Sequence, residues 1–563
     1  MGFLEKVKSK EFWEEVRTNP AYDFLVKELL DIYQRDAQGE IKDISYDAFM
    51  EFYRTGSRLK FEWDYYFPRR RRLNACALLS LIYPDREEYF DNLMNTIWAI
   101  CNEYCWSLPT HTPKGDEVCN DWYIDLFAAE TGFALSEIRF LLGERMSPLM
   151  NDRIRQELEK RIIRSFLDHP FNWEQNESNW AGVCGGSVGC VFLYERPDLF
   201  EEAKPRIDST LATFLRSYKA DGVCREGLDY WQYGFGFFVA YAQRLLEHTR
   251  GKENLFALEH VKQIAQFPAM AFLDGAATIS FSDCPREGRV GLGTVSILRR
   301  HYGELMQGIT RNMCMTNDDC GRWPLHVDSI VWFEPEFHDA EASKEAVYYK
   351  EDSGWFVKKC AAYSFAAKGG SNYEPHNHND VGSFILCHGG GQILTDLGRG
   401  LYTADYFGEK RYEHLCRRSG GHSVPMVDGL EQVSGRDTQA STAYEEGKLT
   451  IDLTGAYPAS RVKGVLREFT FTENSVKMRD QYTYGDNCKT YGAVKERLVS
   501  LVKPVVKEDR VELDELQIRF SPGWQVQVTQ DLHVTRSEGE TVVYLIDFTT
   551  EQPMQEFQVE FVV

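Results

Sequence analysis

The chain has 563 residues, and its 64 Lys and Arg against 86 Asp and Glu leave a net charge of −22. That acidic balance argues against general affinity for nucleic acid or an anionic membrane, while leaving room for a locally basic cleft. With 43% hydrophobic and 27% charged residues the chain is of the folding kind, not the disordered kind. At about 150 residues per domain it has room for two large domains or roughly three to four smaller ones.

The opening string MGFLEKVKSKEFWEEV lacks the apolar stretch of a signal peptide, and no window approaches 18 uncharged apolar residues. The expectation is a cytoplasmic protein without a membrane span, secreted or periplasmic only where a leader has been removed. Fourteen cysteines with no CxxC pair speak against a disulfide scaffold, a zinc ribbon or a thioredoxin-like motif. Many sit in apolar runs and read as reduced, buried hydrophobes.

Residues 1–335 read as helical. In NDRIRQELEKRIIRSFL, Ile154, Leu158, Ile162 and Phe166 recur at three-to-four spacing, one apolar stripe on a helix. Similar stripes separated by short breaks such as YPD and ERPD suggest helical hairpins packed side by side as a toroid, solenoid or bundle. The run PRRRRLNACALL puts Arg69 to Arg72 together, either a solvated face or a landing point for a polyanion. WSLPTHTPKGD sets Trp106 and His111 on a loop. NWEQNESNWAGVCGGSVGC places Asn179 and Trp180 before a small-residue run suited to a tightly packed helix. In DGVCREGLDYWQYGFGF, Tyr230 and Tyr233 lie one helical turn apart and can share a face.

After about residue 335 the period becomes two. Phe557, Val559, Phe561 and Val563 alternate with polar residues, as do Leu449, Ile451 and Leu453, which predicts an antiparallel sandwich over 336–563. The mixed stretch 301–345 is the expected boundary. The densest chemistry lies in EPHNHNDVGSFILCHGGGQILTDLGRG and in RRSGGHSVPMVDG. On an extended segment His376 and His378 point to one side. Two imidazoles and a carboxylate suit a borderline divalent ion, zinc or manganese, so His378, Asp396 and His422 are the expected ligands, with His376 left free. The string HNHND also spells the HxHxD of metallo-β-lactamase-type hydrolases. Val381 stands where that motif continues with His, and the preceding half is helical rather than alternating, so that reading is set aside.

Taken together, WSLPTH, the NW segment, EG-x-x-Y-x-x-Y, HNHNDVGSF, LTDLGRG with Tyr402 and Tyr406, and GHSVPMVDG resemble the heparinase II/III-like polysaccharide lyases over most of the chain. The resemblance implies an α+β multidomain fold: an incomplete (α/α) toroid over 1–335, then an antiparallel β-sandwich over 336–563 carrying the His/Asp metal site. It implies β-elimination on an acidic polysaccharide, a glycosaminoglycan such as hyaluronan, chondroitin or dermatan sulfate or heparan sulfate, giving 4,5-unsaturated uronate products. Asn179 would bind the uronate carboxylate, Tyr233 would be the acid or both acid and base, and His376 the base or a sharer of that role. The metal would be structural.

Trp106, His111, Trp180, Arg225, Tyr230, Arg399, Tyr402 and Arg411 would be further substrate contacts, with Arg417, Arg418 and Arg69 to Arg72 adding positive charge. That arginine density favours sulfated polymers. Two departures from the family pattern matter. Some members carry His beside or in place of the Asn, where this chain reads Asn176-Glu177-Ser178-Asn179; His111 then becomes a source of the missing imidazole. Either Tyr230 or Tyr233 can be the catalytic tyrosine; the spacing of 54 from Asn179 favours Tyr233. The alternatives are a lyase for alginate or another uronate polymer, a metal-dependent hydrolase or oxygenase using His376, His378, Asp396 and His422, and a non-catalytic glycan-binding protein.

Overall fold

A computed structural model of the chain describes residues 2–112, 121–303, 313–315, 318–335, 345–374, 376–402, 404–458, 462–485, 494–535, 539–550 and 555–563. The expected boundary at 335/336 abuts residues 336–344, which lie outside the described residues, as do Pro113 to Asp116 of the WSLPTHTPKGD loop, Cys119 and Cys488. From Phe3 to Val331 the chain is mostly helical, and from Ala346 onward it is mostly strand. The change of period read from the sequence thus marks a real change of architecture.

The helix Asn179–Glu195 sits at the centre of the helical part, packed by Leu126–Leu142, Pro197–Arg216 and Gly236–His248. Its small residues permit this. A Cβ on Gly182 would stand 2.8 Å from the Phe214 ring, one on Gly186 2.9 Å from the Phe237 carbonyl oxygen, and one on Gly189 2.3 Å from the Tyr241 ring. Helix-destabilising glycines are tolerated here because they let two of these neighbours, Pro197–Arg216 and Gly236–His248, approach closely. Beside them Arg244, fully buried, bonds Glu137 through Nε at 2.7 Å and Asp328 through Nη2 at 3.0 Å. One guanidinium thereby ties three helices together. Removing either carboxylate would leave an unpaired buried charge.

The run Arg69 to Arg72 departs from expectation. All four residues are 5–9% exposed. Arg69 and Arg70 converge on Glu103, at 3.0 and 2.7 Å, and Arg71 pairs with Asp36 at 2.7 Å. Arg72 donates to the Gly39 carbonyl and to Asn92. The run is an internal network of ion pairs and hydrogen bonds, neither a solvated face nor a polyanion's landing point.

The helical part also contains short strands. Phe272–Asp274 and Ala277–Thr278 form a two-stranded sheet, and the loop that follows lies against the β part. Ser364 Oγ donates to the Leu273 carbonyl at 2.7 Å, and Ser280 Oγ to the Asp396 carbonyl at 2.8 Å. Further along the junction, Asp221 accepts from the Ser353 amide at 2.7 Å, and Lys359 Nζ donates to the Ala269 carbonyl at 2.7 Å.

The β part is built from antiparallel sheets. A five-stranded sheet runs in the order Gly391–Leu394, Phe384–His388, Ser364–Lys368, Trp355–Lys359, Ala346–Lys350. A nine-stranded sheet has Glu556–Val562, Ser475–Tyr484, Val462–Phe471 and Lys448–Asp452 at its centre. Phe356, Phe365, Phe384 and Leu386 from the first share one buried cluster with Leu449, Ile451, Phe469 and Phe561 from the second. The alternating residues read from the sequence are the inward faces of these sheets. A four-stranded sheet of Met426–Val427, Val494–Ser500, Gly539–Thr549 and Gln525–Thr535 completes the part.

The close approach at Gly189 gives a direct test. Gly189→Ala should lower stability by about 1–3 kcal/mol through overpacking against Tyr241. Denaturant unfolding checks this; an unchanged midpoint would mean that the helix is less tightly packed than described.

Candidate active site

The site lies where the helical part meets the β part. Asn179, 8% exposed, opens the central helix and lines a small cavity with Ser217, Arg225, Glu226 and Tyr230. The chain turns at Gly227, whose φ of +98° suits glycine. A Cβ there would stand 2.5 Å from Cys284 Cβ. Glycine at 227 therefore lets the inserted loop press in, and with it Asp283. Tyr230 ends the short helix Leu228–Tyr230, and Tyr233 follows on a π-helical turn over Trp231–Phe235, a local widening common at functional sites.

The two tyrosines face different partners. The Tyr230 ring lies 4.5 Å from the His376 ring, and its hydroxyl is 3.2 Å from that of Tyr402. Tyr233 donates its hydroxyl to Glu130 at 2.6 Å, and the Arg322 guanidinium sits 3.6 Å from its ring centroid while also bonding Glu130. Burial pushes the Glu130 carboxyl up to about 7, against the pull of Arg322 and the Tyr233 hydroxyl. Burial also drives the Tyr233 phenol well above its ordinary value, with Arg322 opposing. Each group in this trio thus depends on the others for its charge state.

His111 is held by Asp125. Its Nδ1 lies 2.8 Å from that buried carboxylate, which also caps the helix Leu126–Leu142 through the Ala128 amide. The Trp180 ring packs edge-on at 4.8 Å. His111 and Trp180 therefore share one wall of the helical part. Trp106 does not belong with them. It is 1% exposed and its indole N–H bonds the Ile100 carbonyl at 3.0 Å, so it is a core residue that no substrate can touch.

On the β side everything converges on Asp283, fully buried. Its carboxylate takes His376 Nδ1 at 2.7 Å, His378 Nε2 at 3.1 Å, Arg417 Nη2 at 2.9 Å and the Tyr406 hydroxyl at 2.6 Å. Burial alone would raise its pKa, but the hydrogen bonds from His376 and His378 and the Arg417 charge outweigh it and hold the carboxyl far below its usual range. The two imidazoles meet on one side, as the HxH spacing implied. They do so across a turn rather than a strand, with His376 at φ +54°, a conformation few non-glycine residues adopt. With Nδ1 on Asp283, His376 turns Nε2 outward, 3.6 Å from Glu226 Oε2.

His378, Asp396 and His422 are buried, and one potential ligand atom from each lies within 4.8 Å of the others. His378 Nδ1 is buried without a hydrogen-bond partner among the described residues. His422 Nε2 bonds the Cys416 carbonyl at 2.9 Å, which leaves Nδ1 toward Asp396 at 2.8 Å. Two neutral imidazole nitrogens and a carboxylate, each imidazole oriented by an oxygen behind it, form a donor set that fits a divalent ion.

Arg399 pairs with Asp229 at 2.9 Å, and Arg411 donates to the Asn377 carbonyl at 3.0 Å. Arg417 is buried and spent on Asp283. Sequence reading missed Asp283, Glu226, Glu130, Arg322 and Glu374. Glu226 stood within the quoted EG string. Asp283 stood alone in SFSDCPREG, with no motif to mark it.

The metal reading is open to measurement. A divalent ion should raise the melting temperature of the protein, and His422→Ala should abolish the rise. Asp283→Asn, which weakens the group behind His378, should cost about 10–100-fold in metal affinity, checked by titration calorimetry. Equal affinity in the Asn variant would free Asp283 of that role.

Residues 345–544 match the family model described as Heparinase II/III-like, C-terminal. Among curated proteins no sequence matches this chain. Among solved structures, a heparinase III aligns with a TM-score of 0.61 at 12% identity, covering 97% of this chain and 92% of that one. A mutant heparan sulfate lyase from Pedobacter heparinus aligns with a TM-score of 0.61 at 14% identity, covering 100% and 91%. A Streptomyces coelicolor chondroitin AC lyase in complex with chondroitin sulphate aligns with a TM-score of 0.58 at 10% identity, covering 100% and 82%. Residues 345–544 are therefore similar to the C-terminal domain of the heparinase II/III-like family, and the chain shares its fold along its length with these lyases.

Proposed function

We propose that the protein is a polysaccharide lyase that cleaves a uronate-containing glycosaminoglycan by β-elimination. The helical part is then an incomplete (α/α) toroid and the β part a sandwich closing over its cleft. The observation that carries the reading is the meeting of Asn179, Tyr230 and His376 across the junction, with Tyr233 one turn beyond. Binding alone needs no such set of proton carriers.

The C5 proton of a uronate is weakly acidic because the neighbouring carboxylate is already negative. Its removal builds an enolate-like dianion, so donors aimed at that carboxylate matter most. Asn179 supplies an amide donor there. His376, with Nδ1 engaged by Asp283, presents Nε2 as the base that takes the C5 proton. The C4–O4 bond breaks, C4=C5 forms, and Tyr233 protonates the departing O4. Arg322 over the Tyr233 ring stabilises the phenolate left behind, and Glu130 fixes the hydroxyl beforehand. His376 then returns its proton to solvent as Tyr233 regains one. Tyr230 packs against His376 and sets its ring.

His378, Asp396 and His422 would hold zinc or manganese, which braces the β side of the cleft. Elimination needs no metal-bound water, so chelation should lower the melting temperature more than the rate.

The unsaturated product absorbs in the ultraviolet. With hyaluronan, chondroitin sulfates, heparan sulfate and alginate as substrates, absorbance should rise with at least one. His376→Ala and Tyr233→Phe should each cost about 10²–10⁴ in rate, and Tyr230→Phe less. A larger loss from Tyr230→Phe than from Tyr233→Phe would exchange the two roles. New reducing ends with flat absorbance would replace the lyase by a hydrolase.

A further inference from the structure

His376 occupies a backbone conformation that its residue type disfavours. The Asn377 amide donates to the Glu374 carbonyl at 3.1 Å, closing a turn in which His376 has φ +54°. That place in a turn usually goes to Gly or Asn. Its partner is reached in the same way: Ser282, just before Asp283, is fully buried at φ +60°. The contact between His376 and Asp283 thus has left-handed, non-glycine backbone on both sides. Such conformations persist only where the surroundings over-determine them.

Arg417 supplies that over-determination. It is fully buried and beyond the reach of a substrate. Its Nη1 donates to the Asn377 carbonyl at 2.9 Å and its Nη2 to Asp283 Oδ2 at 2.9 Å. The same Oδ2 takes His376 Nδ1 at 2.7 Å. One planar guanidinium therefore closes a ring of contacts that fixes His376 twice, its backbone through the next carbonyl and its imidazole through Asp283. The Arg417 backbone joins in, its carbonyl accepting from the Asn379 amide at 3.0 Å. The guanidinium packs 4.0 Å from the centre of the Tyr406 ring, whose hydroxyl donates to Asp283 as well. Arg411 Nη2 adds a second donor to the Asn377 carbonyl at 3.0 Å. A lysine ammonium carries the same charge but lacks the rigid fork that addresses two acceptors at once.

We propose that Arg417 is the positioning residue that holds His376 in its turn with Nε2 toward the cleft, so that its loss costs turnover and spares substrate binding. The consequence for turnover rests on the lyase reading; the hold on the turn does not.

Arg417→Lys tests it, because it keeps a charge opposite Asp283 and removes the fork. With a polymer that gives product absorbance, kcat should fall about 10–100-fold, the usual cost of losing a partner behind a functional imidazole, while KM stays within about twofold. A crystal structure of the variant should show His376 out of the left-handed region or its Nδ1 off Asp283. An unchanged kcat, a loss carried by KM, or a fall in kcat with the turn unmoved each overturns the proposal while the lyase reading stands. Should Arg417→Lys fail to fold, Arg411→Met removes the second donor to the same carbonyl: a lower kcat at constant KM supports the hold on the turn, and a change in KM alone, or none, overturns it. If no polymer gives absorbance with the wild-type protein, the lyase reading itself has failed. The crystal structure of Arg417→Lys then decides alone: a displaced His376 supports the hold, and an unmoved one overturns it.

Discussion

One buried carboxylate holds the two parts of this protein in register. Asp283 comes from a loop of the helical part and receives two imidazoles, a guanidinium and a phenol from the β part. An ionised group so deep is tolerated only when every lone pair is met. That requirement fixes the orientation of His376 and His378 together. One ring is left with its outer nitrogen toward the cleft and the other with its free nitrogen toward Asp396 and His422. The outward nitrogen of His376 and the place of His378 in the buried His/Asp cluster are thus two outcomes of a single constraint.

The rest of the fold serves to bring that loop into place. The central helix Asn179–Glu195 gives up side-chain volume so that its neighbours close around it, and this sets Asn179 at the rim beside the turn that carries the tyrosines. Glycine at 227 lets the loop approach, since its nearest neighbour would collide with a Cβ. Buried arginines act as fixed struts: Arg244 among the helices and Arg467, bonded to Asp480 at 2.6 Å, among the strands. Several of the chain's cations, among them Arg69 to Arg72, Arg244, Arg417 and Arg467, are buried and held internally, so a count of charges says little about its ligand.

Much of this was legible in the residues. The change from a period of three to four to a period of two separated the helical from the strand part, because each period follows from which face must be buried. The small-residue run read correctly as a packed helix. His378, Asp396 and His422 stand together as their residue types suggested. Arg69 to Arg72 misled, because a charge run looks the same whether solvated or paired internally; its partners Glu103 and Asp36 are distant in sequence. Trp106 misled for a similar reason: a loop position gives no sign of burial. Asp283 was invisible because its meaning comes entirely from residues 93 or more positions away.

The shared carboxylate also has a consequence for how the chain is made. Asp283 is synthesised well before His376, His378 and Arg417, the groups that satisfy it, and before His422, which closes the adjoining cluster. At about 5–20 residues per second the interval from 283 to 422 is roughly 7–28 s. Through that time the helical part carries a carboxylate that cannot be buried alone. Its loop must stay open to water, and the cleft can close only once the strands arrive. The junction therefore sets only after the strands that carry its partners have emerged, and the helical part on its own would fold with that edge unfinished.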